Sequence, residues 1–173
     1  ILVHGGGKKL TYELHQQKIK SNFIDGLRVT DKNTINIVEE VFIEFNKKIK
    51  KEIEKNMTVS TCVNSQENNA IIVKKISDEL GFVGKPEKLD IKIIQDIIFA
   101  NAIPIIAPLG LDKNNQVYNV NADDIASIIS KKLNARRLII ISDTTLLDEN
   151  NMAISEINSI QATKLINDKV ING

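Results

Sequence analysis

The stretch ILVHGGG, residues 1–7, decides the fold of this chain. A short apolar run ends in three glycines, and residues 8–20 then have helical composition, with Leu10 and Leu14 on one face. This order predicts a buried strand, a glycine turn and a helix. The turn places bare backbone N–H groups at the carboxyl edge of a sheet beside a helix N-terminus, where anions bind.

The glycine turn also has a simpler interpretation, a flexible connection between strand and helix. It does not match a P-loop, because Lys8 is not followed by Ser or Thr in the required frame. It does not match a dinucleotide fingerprint either, because Leu10 stands where the third glycine would fall.

The rest of the chain predicts a mostly βαβα order and therefore an α/β domain with a largely parallel central sheet. Its apolar runs at 103–107 and 138–141 are typical of strands buried on both faces. The other predicted elements are a long amphipathic helix at 34–55, a hairpin formed by 58–63 and 70–76, a helix at 90–100, a short β pair at 111–112 and 116–118, and helices at 122–133 and 159–168.

Composition excludes several classes of protein. The 173 residues, 42% hydrophobic, are enough for one domain with a core. Lysine and arginine number 23 against 22 acids, so the net charge of +1 supplies no field for nucleic acid. Cys62 and two histidines offer neither a disulfide nor a metal-ligand set, and no run approaches the roughly 20 apolar residues of a membrane helix. We expect a cytoplasmic protein.

Arg28 is a candidate anion-binding residue within the motif GLRVT, residues 26–30. It stands between a glycine and a helix cap, Thr30 or Asp31. The planar fork of arginine suits bidentate capture of a carboxylate. A solvated surface charge or a structural salt bridge is the alternative.

A second polar motif, YNVNADD at residues 118–124, ends a strand and begins a helix. Asn121 is a good N-cap, and acids at 123 and 124 favour the positive first turn. Capping does not explain Asn119, and Asp123 at a site edge can orient lysines or a magnesium-bound phosphate. Farther on, the polar residues after the run at 138–141 lie where ligands bind in open α/β sheets, although each also suits a turn.

The order and spacing of these motifs resemble the N-acetylglutamate kinases of the amino acid kinase family. GLRVT together with NVNAD is more specific than the glycine run, which related kinases share in part. The motifs are VHGGG at 3–7, GLRVTD at 26–31, NK at 46–47, IPIIAPLG at 103–110, YNVNAD at 118–123, ISD at 141–143 and LD at 147–148.

This resemblance implies a three-layer αβα sandwich that phosphorylates the γ-carboxylate of N-acetyl-L-glutamate with ATP and Mg²⁺ in arginine biosynthesis, as a homodimer. It implies that Gly6 and Gly7 donate backbone hydrogen bonds near the γ-carboxylate and the transferring phosphoryl group. Arg28 and Asn119 would then hold the acetylglutamate.

The resemblance also assigns the phosphoryl-transfer and nucleotide roles. Asp123 would orient the catalytic lysines, and a loop with Asp143 and Thr144 would hold the nucleotide. Enzymes of this kind carry one lysine in a Lys-x-Gly-Gly strand before residue 1 and another beyond residue 173. We therefore expect residues 1–173 to be a single domain, incomplete at both ends, with little or no kinase activity by itself.

Three departures from the family pattern motivate the first of three alternative functions. Ile43 replaces a glycine, residues 59–65 replace a glycine-containing stretch, and the loop at 142–148 is one residue shorter and has lost its glycine. A non-catalytic relative that binds an acylated amino acid is one alternative, and a kinase for another amino-acid carboxylate, such as acetylaminoadipate, is a second. A dinucleotide-binding oxidoreductase is the third, and the missing third glycine argues against it.

Overall fold

The computed structural model describes residues 1–142, 145–168 and 170. Ile1–Leu138 form one compact unit, and a second unit begins at Ile139. The elements in chain order are β1 Leu2–Val3, α1 Gly7–Gln16, β2 Phe23–Ile24, β3 Leu27–Arg28, α2 Lys32–Glu54, β4 Ser60–Val63, β5 Ile71–Lys75, β6 Val83–Leu89, α3 Ile91–Phe99, β7 Ile103–Ile106, β8 Leu109–Leu111, β9 Val117–Val120, α4 Ala122–Lys132 and α5 Ser159–Asn167.

The central sheet of the first unit is parallel throughout, with strand order β1-β7-β4. Ile105, in the middle strand, is paired with Leu2 on one side and Cys62 on the other. Helices α1 and α2 share one apolar core, while α3 and α4 share another with residues of the sheet. The predicted α/β class, with helices on both faces of a parallel sheet, is confirmed.

Polar side chains fix where the two main helices begin. The Asp31 carboxylate accepts hydrogen bonds from the backbone N–H groups of Asn33 and Thr34 at 3.0 and 2.7 Å, and these bonds lower the pKa of Asp31. Asn121 caps α4 in the same way. None of the helices in the described part of the chain is long and apolar enough to span a membrane.

Four further strands close into a small barrel in the order β5-β6-β9-β8. Two glycines permit this close approach. A Cβ at Gly110 would lie 2.4 Å from Cγ1 of Val73, and one at Gly84 would lie 2.9 Å from the Val73 Cβ. The barrel pairs Asn119 of β9 with Val83 of β6, which fixes the position of a candidate site residue.

The predicted hairpin between residues 58–63 and 70–76 is wrong. The first segment forms β4 and pairs in parallel with β7, whereas the second forms β5 and pairs with β6 and β8 in the barrel. Both segments have strand composition, but composition does not specify a partner. The sequence of β6 does not predict a strand, because Gly84, Pro86 and three charged residues break its apolar pattern.

The predicted strand at 138–141 is also wrong. These residues belong to no strand, and Ile139 and Ile141 are 78% and 95% exposed. An apolar run indicates a segment that gains by burial, but it forms a strand only where a neighbouring backbone can pair with it. In the second unit, α5 is preceded by its N-cap Asn158, whose side chain forms a reciprocal capping box with Gln161.

Candidate active site

A cavity of about 310 Å³ opens within the first unit, at the carboxyl ends of β1 and β7. The glycine turn, the β2–β3 hairpin and the start of α4 surround it. It brings together all the predicted site residues that the structure describes, which are Gly6, Gly7, Arg28, Asn119 and Asp123. Asp143 and Thr144, predicted to hold the nucleotide, lie outside the described residues.

The glycine turn presents backbone to the cavity. Gly6 is the N-cap of α1, and the first N–H groups of a helix have no intrahelical acceptor. A Cβ at Gly7 would meet nothing within 4 Å, whereas a Cβ at Gly6 would lie 2.8 Å from Cε1 of Phe42. Close packing of α1 against α2 therefore requires glycine at position 6.

A two-residue hairpin carries Arg28 to the cavity. Strand β2 pairs antiparallel with β3, with Phe23 opposite Arg28, and the turn residues Asp25 and Gly26 have φ of 47° and 79°. Positive φ at both central residues is the type I′ geometry, for which Asp-Gly is a strong sequence signal. No strand is predicted at residues 23–28 from the apolar pattern, although the Asp25-Gly26 pair is a local signal for this hairpin.

Arg28 is a buried cation, only 8% exposed. Its Nη2 donates to Oγ1 of Thr11 at 2.8 Å and to the carbonyl oxygen of Gly7 at 3.3 Å, and its Nη1 donates to the hydroxyl of Ser21. Its guanidinium also lies over the Phe23 ring, 4.6 Å from the centroid. Sequence reasoning named none of Thr11, Ser21 and Phe23.

The neighbours of Arg28 hold its guanidinium but do not neutralise it. Among the residues that the structure describes, no carboxylate lies within ion-pair distance of it. Burial lowers the pKa of Arg28, yet a guanidinium stays protonated in proteins. A desolvated cation without a counter-ion is costly, so this end of the cavity is suited to an anion.

Asn119 is oriented by the fully buried Thr30. The Thr30 hydroxyl donates its one proton to the carbonyl oxygen of Arg28 at 3.0 Å, so it can only accept from Asn119, whose Nδ2 lies 3.2 Å away. The amide oxygen of Asn119, to which no described residue donates, is thereby left for a donor on a ligand. Thr30 itself is held by the backbones of Leu80 and Phe82.

Asp123 lies in the first turn of α4, at the edge of the cavity, with its side chain exposed. Its backbone N–H donates to the Asn121 side chain at 2.7 Å, which leaves the carboxylate free of a capping role. Within residues 1–142, 145–168 and 170, no group of three or more acidic, histidine or cysteine side chains is arranged to hold a metal ion.

A parallel sheet, a glycine turn at a helix N-terminus and an uncompensated buried arginine define an α/β protein whose cavity is suited to a small anionic molecule. The chain belongs to the amino acid kinase family, whose family model matches residues 1–173.

The chain is similar to curated relatives and to solved structures. It is 51% identical to the acetylglutamate kinase of Pelagibacter ubique over 174 residues, which cover all of this chain and 60% of that protein. It is 34% identical to the acetylglutamate kinase of Gluconobacter oxydans, again over the whole chain and 64% of the relative. The chain thus spans less than two thirds of the length of these two enzymes.

The solved structures support the fold. The structure of smu.665 from Streptococcus mutans superposes with a TM-score of 0.93 at 25% identity, covering all of this chain and 71% of that one. N-acetylglutamate synthase from Neisseria gonorrhoeae, solved with coenzyme A and N-acetyl-glutamate, has a TM-score of 0.81 at 17% identity, covering 96% of this chain and 39% of that one. The second similarity concerns the fold alone.

Proposed function

We propose that the protein is an acetylglutamate kinase, which transfers the γ-phosphoryl group of ATP to the side-chain carboxylate of N-acetyl-L-glutamate. The observation that carries the proposal is Arg28, a buried guanidinium that faces a cavity and has no carboxylate partner among the described residues. The particular substrate is proposed from the acetylglutamate kinases to which the whole chain is similar.

The two ends of the cavity suit the two ends of this substrate. The Arg28 guanidinium would bind the α-carboxylate, because a planar fork matches two carboxylate oxygens. Asn119 would accept a hydrogen bond from the amide N–H of the acetylated nitrogen, because its own Nδ2 is directed to Thr30. The backbone N–H groups of Gly6 and Gly7 would then meet the γ-carboxylate at the helix N-terminus.

Catalysis at this site would rest on position and charge. Phosphoryl transfer needs little covalent chemistry from the protein, and catalysis comes from alignment and from compensation of the charge on the transferring group. The glycine N–H groups are rigid donors of the kind that stabilise developing negative charge. Asp123, at the cavity edge, would orient lysine side chains toward the same group.

ATP supplies the phosphoryl group when it is bound, and Mg²⁺ accompanies it. The glycine turn fits a phosphoryl group, because two of its glycines have open space where a side chain would stand. Mg²⁺ in such sites is held by substrate phosphates with one or two carboxylates and several waters, so a cluster of three protein ligands is not required. We propose that Asp143 and Thr144 contact the nucleotide.

The wider context is part of the same proposal. Phosphorylation of acetylglutamate is a step in arginine biosynthesis, and we propose that this enzyme performs it in the cytoplasm, as a homodimer. Size-exclusion chromatography with light scattering would measure the oligomeric state, and a monomer at micromolar concentration would contradict it.

The test is substrate-dependent release of ADP by the whole protein, measured with N-acetyl-L-glutamate, L-glutamate and N-acetyl-L-aminoadipate in parallel. We expect turnover with acetylglutamate and little with glutamate, whose charged amine replaces the neutral amide N–H next to Asn119. Faster turnover with acetylaminoadipate would change the substrate but keep the class of reaction. No turnover with any of the three would overturn the proposal.

A further inference from the structure

A hydrogen-bonded series of buried polar side chains lies beneath the glycine turn. The proposed function assigns no role to these side chains. His4, Asn46 and Asn64 are 5%, 0% and 2% exposed. They connect the end of β1 to helix α2 and to the loop after β4. Buried polar groups are tolerated only when they are hydrogen-bonded, so the direction of each bond in this series can be worked out from its partners.

The backbone fixes how the two asparagines are oriented. Oδ1 of Asn64 accepts from the backbone N–H groups of Gln66 and Glu67, both at 2.9 Å, so its amide nitrogen is left facing Asn46. Nδ2 of Asn64 lies 3.5 Å from Oδ1 of Asn46. Nδ2 of Asn46 donates one proton to the carbonyl oxygen of Ile105 at 2.9 Å and has its second proton for His4, 3.1 Å away.

The asparagines in turn fix the protonation of His4. Because Nδ2 of Asn46 can only donate, Nε2 of His4 must be an unprotonated acceptor. The proton of a neutral imidazole then sits on Nδ1, which lies 2.7 Å from the carbonyl oxygen of Gly5. Edge-on contacts with the rings of Phe42 and Phe45 hold the imidazole plane.

We propose that His4 is a positioning residue that aims the Gly6 N–H at the reacting carboxylate. A trans peptide is planar, so the Gly5 carbonyl and the Gly6 N–H point in opposite directions within one unit. A hydrogen bond that draws the carbonyl oxygen toward the core at His4 therefore turns the N–H toward the opposite side. Glycine on both sides of this peptide leaves it few steric restraints, so an outside contact has to set its orientation.

This inference rests on the proposed function for its kinetic test. His4→Phe keeps a ring between the two phenylalanines and removes both hydrogen bonds, and His4→Gln keeps an amide that can reach Asn46. His4→Asn places a short amide near the Nδ1 position, within reach of the Gly5 carbonyl. We expect kcat to fall about 10- to 100-fold in His4→Phe and His4→Gln, the loss typical of a misplaced catalytic group.

A merely structural role would give a different pattern. Positioning predicts that His4→Asn recovers most of kcat, and that KM for acetylglutamate changes less than about threefold in all three variants, since substrate affinity comes chiefly from Arg28. Ile94→Val, a buried change in α3 away from the cavity, controls for lost stability. The Ile94→Val control should lose thermal stability but retain kcat. The same result in the His4 variants would overturn the inference.

Nuclear magnetic resonance tests the same inference without turnover and so separates its failure from failure of the proposed function. ¹⁵N shifts of the His4 imidazole in the whole protein, assigned by their loss in His4→Asn, should show protonated Nδ1 and bare Nε2 at pH 7. The residual dipolar coupling of the Gly6 amide should change in His4→Phe and return in His4→Asn. A protonated Nε2, or a Gly6 coupling equal in all variants, would refute the role of His4 whatever the substrate.

Discussion

The two ends of the cavity are built in opposite ways. At the glycine turn the protein presents backbone, which is held from below by the buried side chains of His4, just after β1, and Asn46 in α2. At the other end it presents one charged side chain, Arg28, on a hairpin whose strands have two residues each and whose Phe23 is 55% exposed. Core packing therefore fixes one end, whereas hydrogen bonds from Ser21 and from helix α1 hold Arg28 at the other.

This difference follows from what each end would have to do. Hydrogen-bond donors must be positioned to within a few tenths of an ångström of a group that is transferred. Backbone donors anchored in a core supply such alignment. A carboxylate that is bound but does not react can be held by a charged side chain whose position adjusts slightly. Changes at the hairpin should therefore act on substrate affinity, whereas changes at the glycine turn should act on the rate of transfer.

The largest effect is expected at Arg28. Arg28→Ala removes charge-assisted hydrogen bonds of about 2–3 kcal/mol together, so the Kd for acetylglutamate measured by calorimetry should rise about 100-fold. Arg28→Lys keeps the charge but loses the planar fork and should give an intermediate value. Lys92→Ala, on the exposed side of α3, is the control for lost charge and should bind normally. Normal affinity in Arg28→Ala would end the assignment of this arginine to the substrate.

Gly6 and Gly7 provide a matched pair at the other end. Gly6→Ala places a Cβ 2.8 Å from the Phe42 ring, and overpacking of this kind costs about 1–3 kcal/mol of unfolding free energy. Gly7→Ala meets no atom within 4 Å and lies in the first turn of α1, so it should not destabilise the fold. Urea unfolding would measure both.

The double variant Gly6→Ala/Phe42→Leu sharpens this test. A smaller side chain at position 42 makes room for the new methyl group, so the double variant should be less destabilised than the sum of the two single changes. Additive losses would show that the contact between position 6 and Phe42 is not what requires glycine.

The sequence predicted the glycine turn and the parallel sheet because their signals are local. A strand buried on both faces reads as a continuous apolar run, and β7 is such a run. Three consecutive glycines mark the turn whatever lies around them. The cavity residues were predicted from motifs whose order and spacing resemble those of the acetylglutamate kinases. The structure brings Gly6, Arg28 and Asn119 to one cavity.

The contacts that orient those residues were not predictable in the same way. Asn46 lies 42 residues from His4 and 59 from Ile105, and its role depends on the packing of α2 against the sheet. The sequence left the cap of α2 open between Thr30 and Asp31. In the structure Asp31 caps α2, and the Thr30 hydroxyl bridges Arg28 and Asn119. Long-range hydrogen bonds of this kind leave no periodic or compositional trace.

Thr30→Val should have a smaller effect than either end residue. Valine keeps the shape but removes the hydroxyl, which leaves the Arg28 carbonyl oxygen and the Asn119 amide without their partner and costs about 1–3 kcal/mol of stability. The amide of Asn119 is then free to turn, so KM for acetylglutamate should rise about 10-fold with kcat little changed. Thr30→Ser restores the hydroxyl and should recover KM. If kcat fell instead, Thr30 would belong to the transfer end.

The smallest expected effect is a pH dependence of stability that belongs to the glycine-turn end. Burial lowers the pKa of His4 below its usual 6.5, opposed by the hydrogen bond to Gly5. As the pH falls below 6.5, His4 becomes protonated in the unfolded chain. In the folded protein it stays neutral until the pH reaches its lowered pKa. The free energy of unfolding must therefore rise with pH inside that window and level off above it, by at most about 1.4 kcal/mol per pH unit.

His4→Asn isolates this contribution, because asparagine does not titrate. The difference in unfolding free energy between wild type and His4→Asn should shrink as the pH falls below 6.5 and stay constant above it. Asp31, whose pKa is lowered by its capping bonds, loses its own contribution in more acidic solution and does so equally in both proteins. A difference independent of pH between 5 and 8 would mean that His4 accepts a proton freely, and that the donor order from Asn64 to Gly5 is wrong.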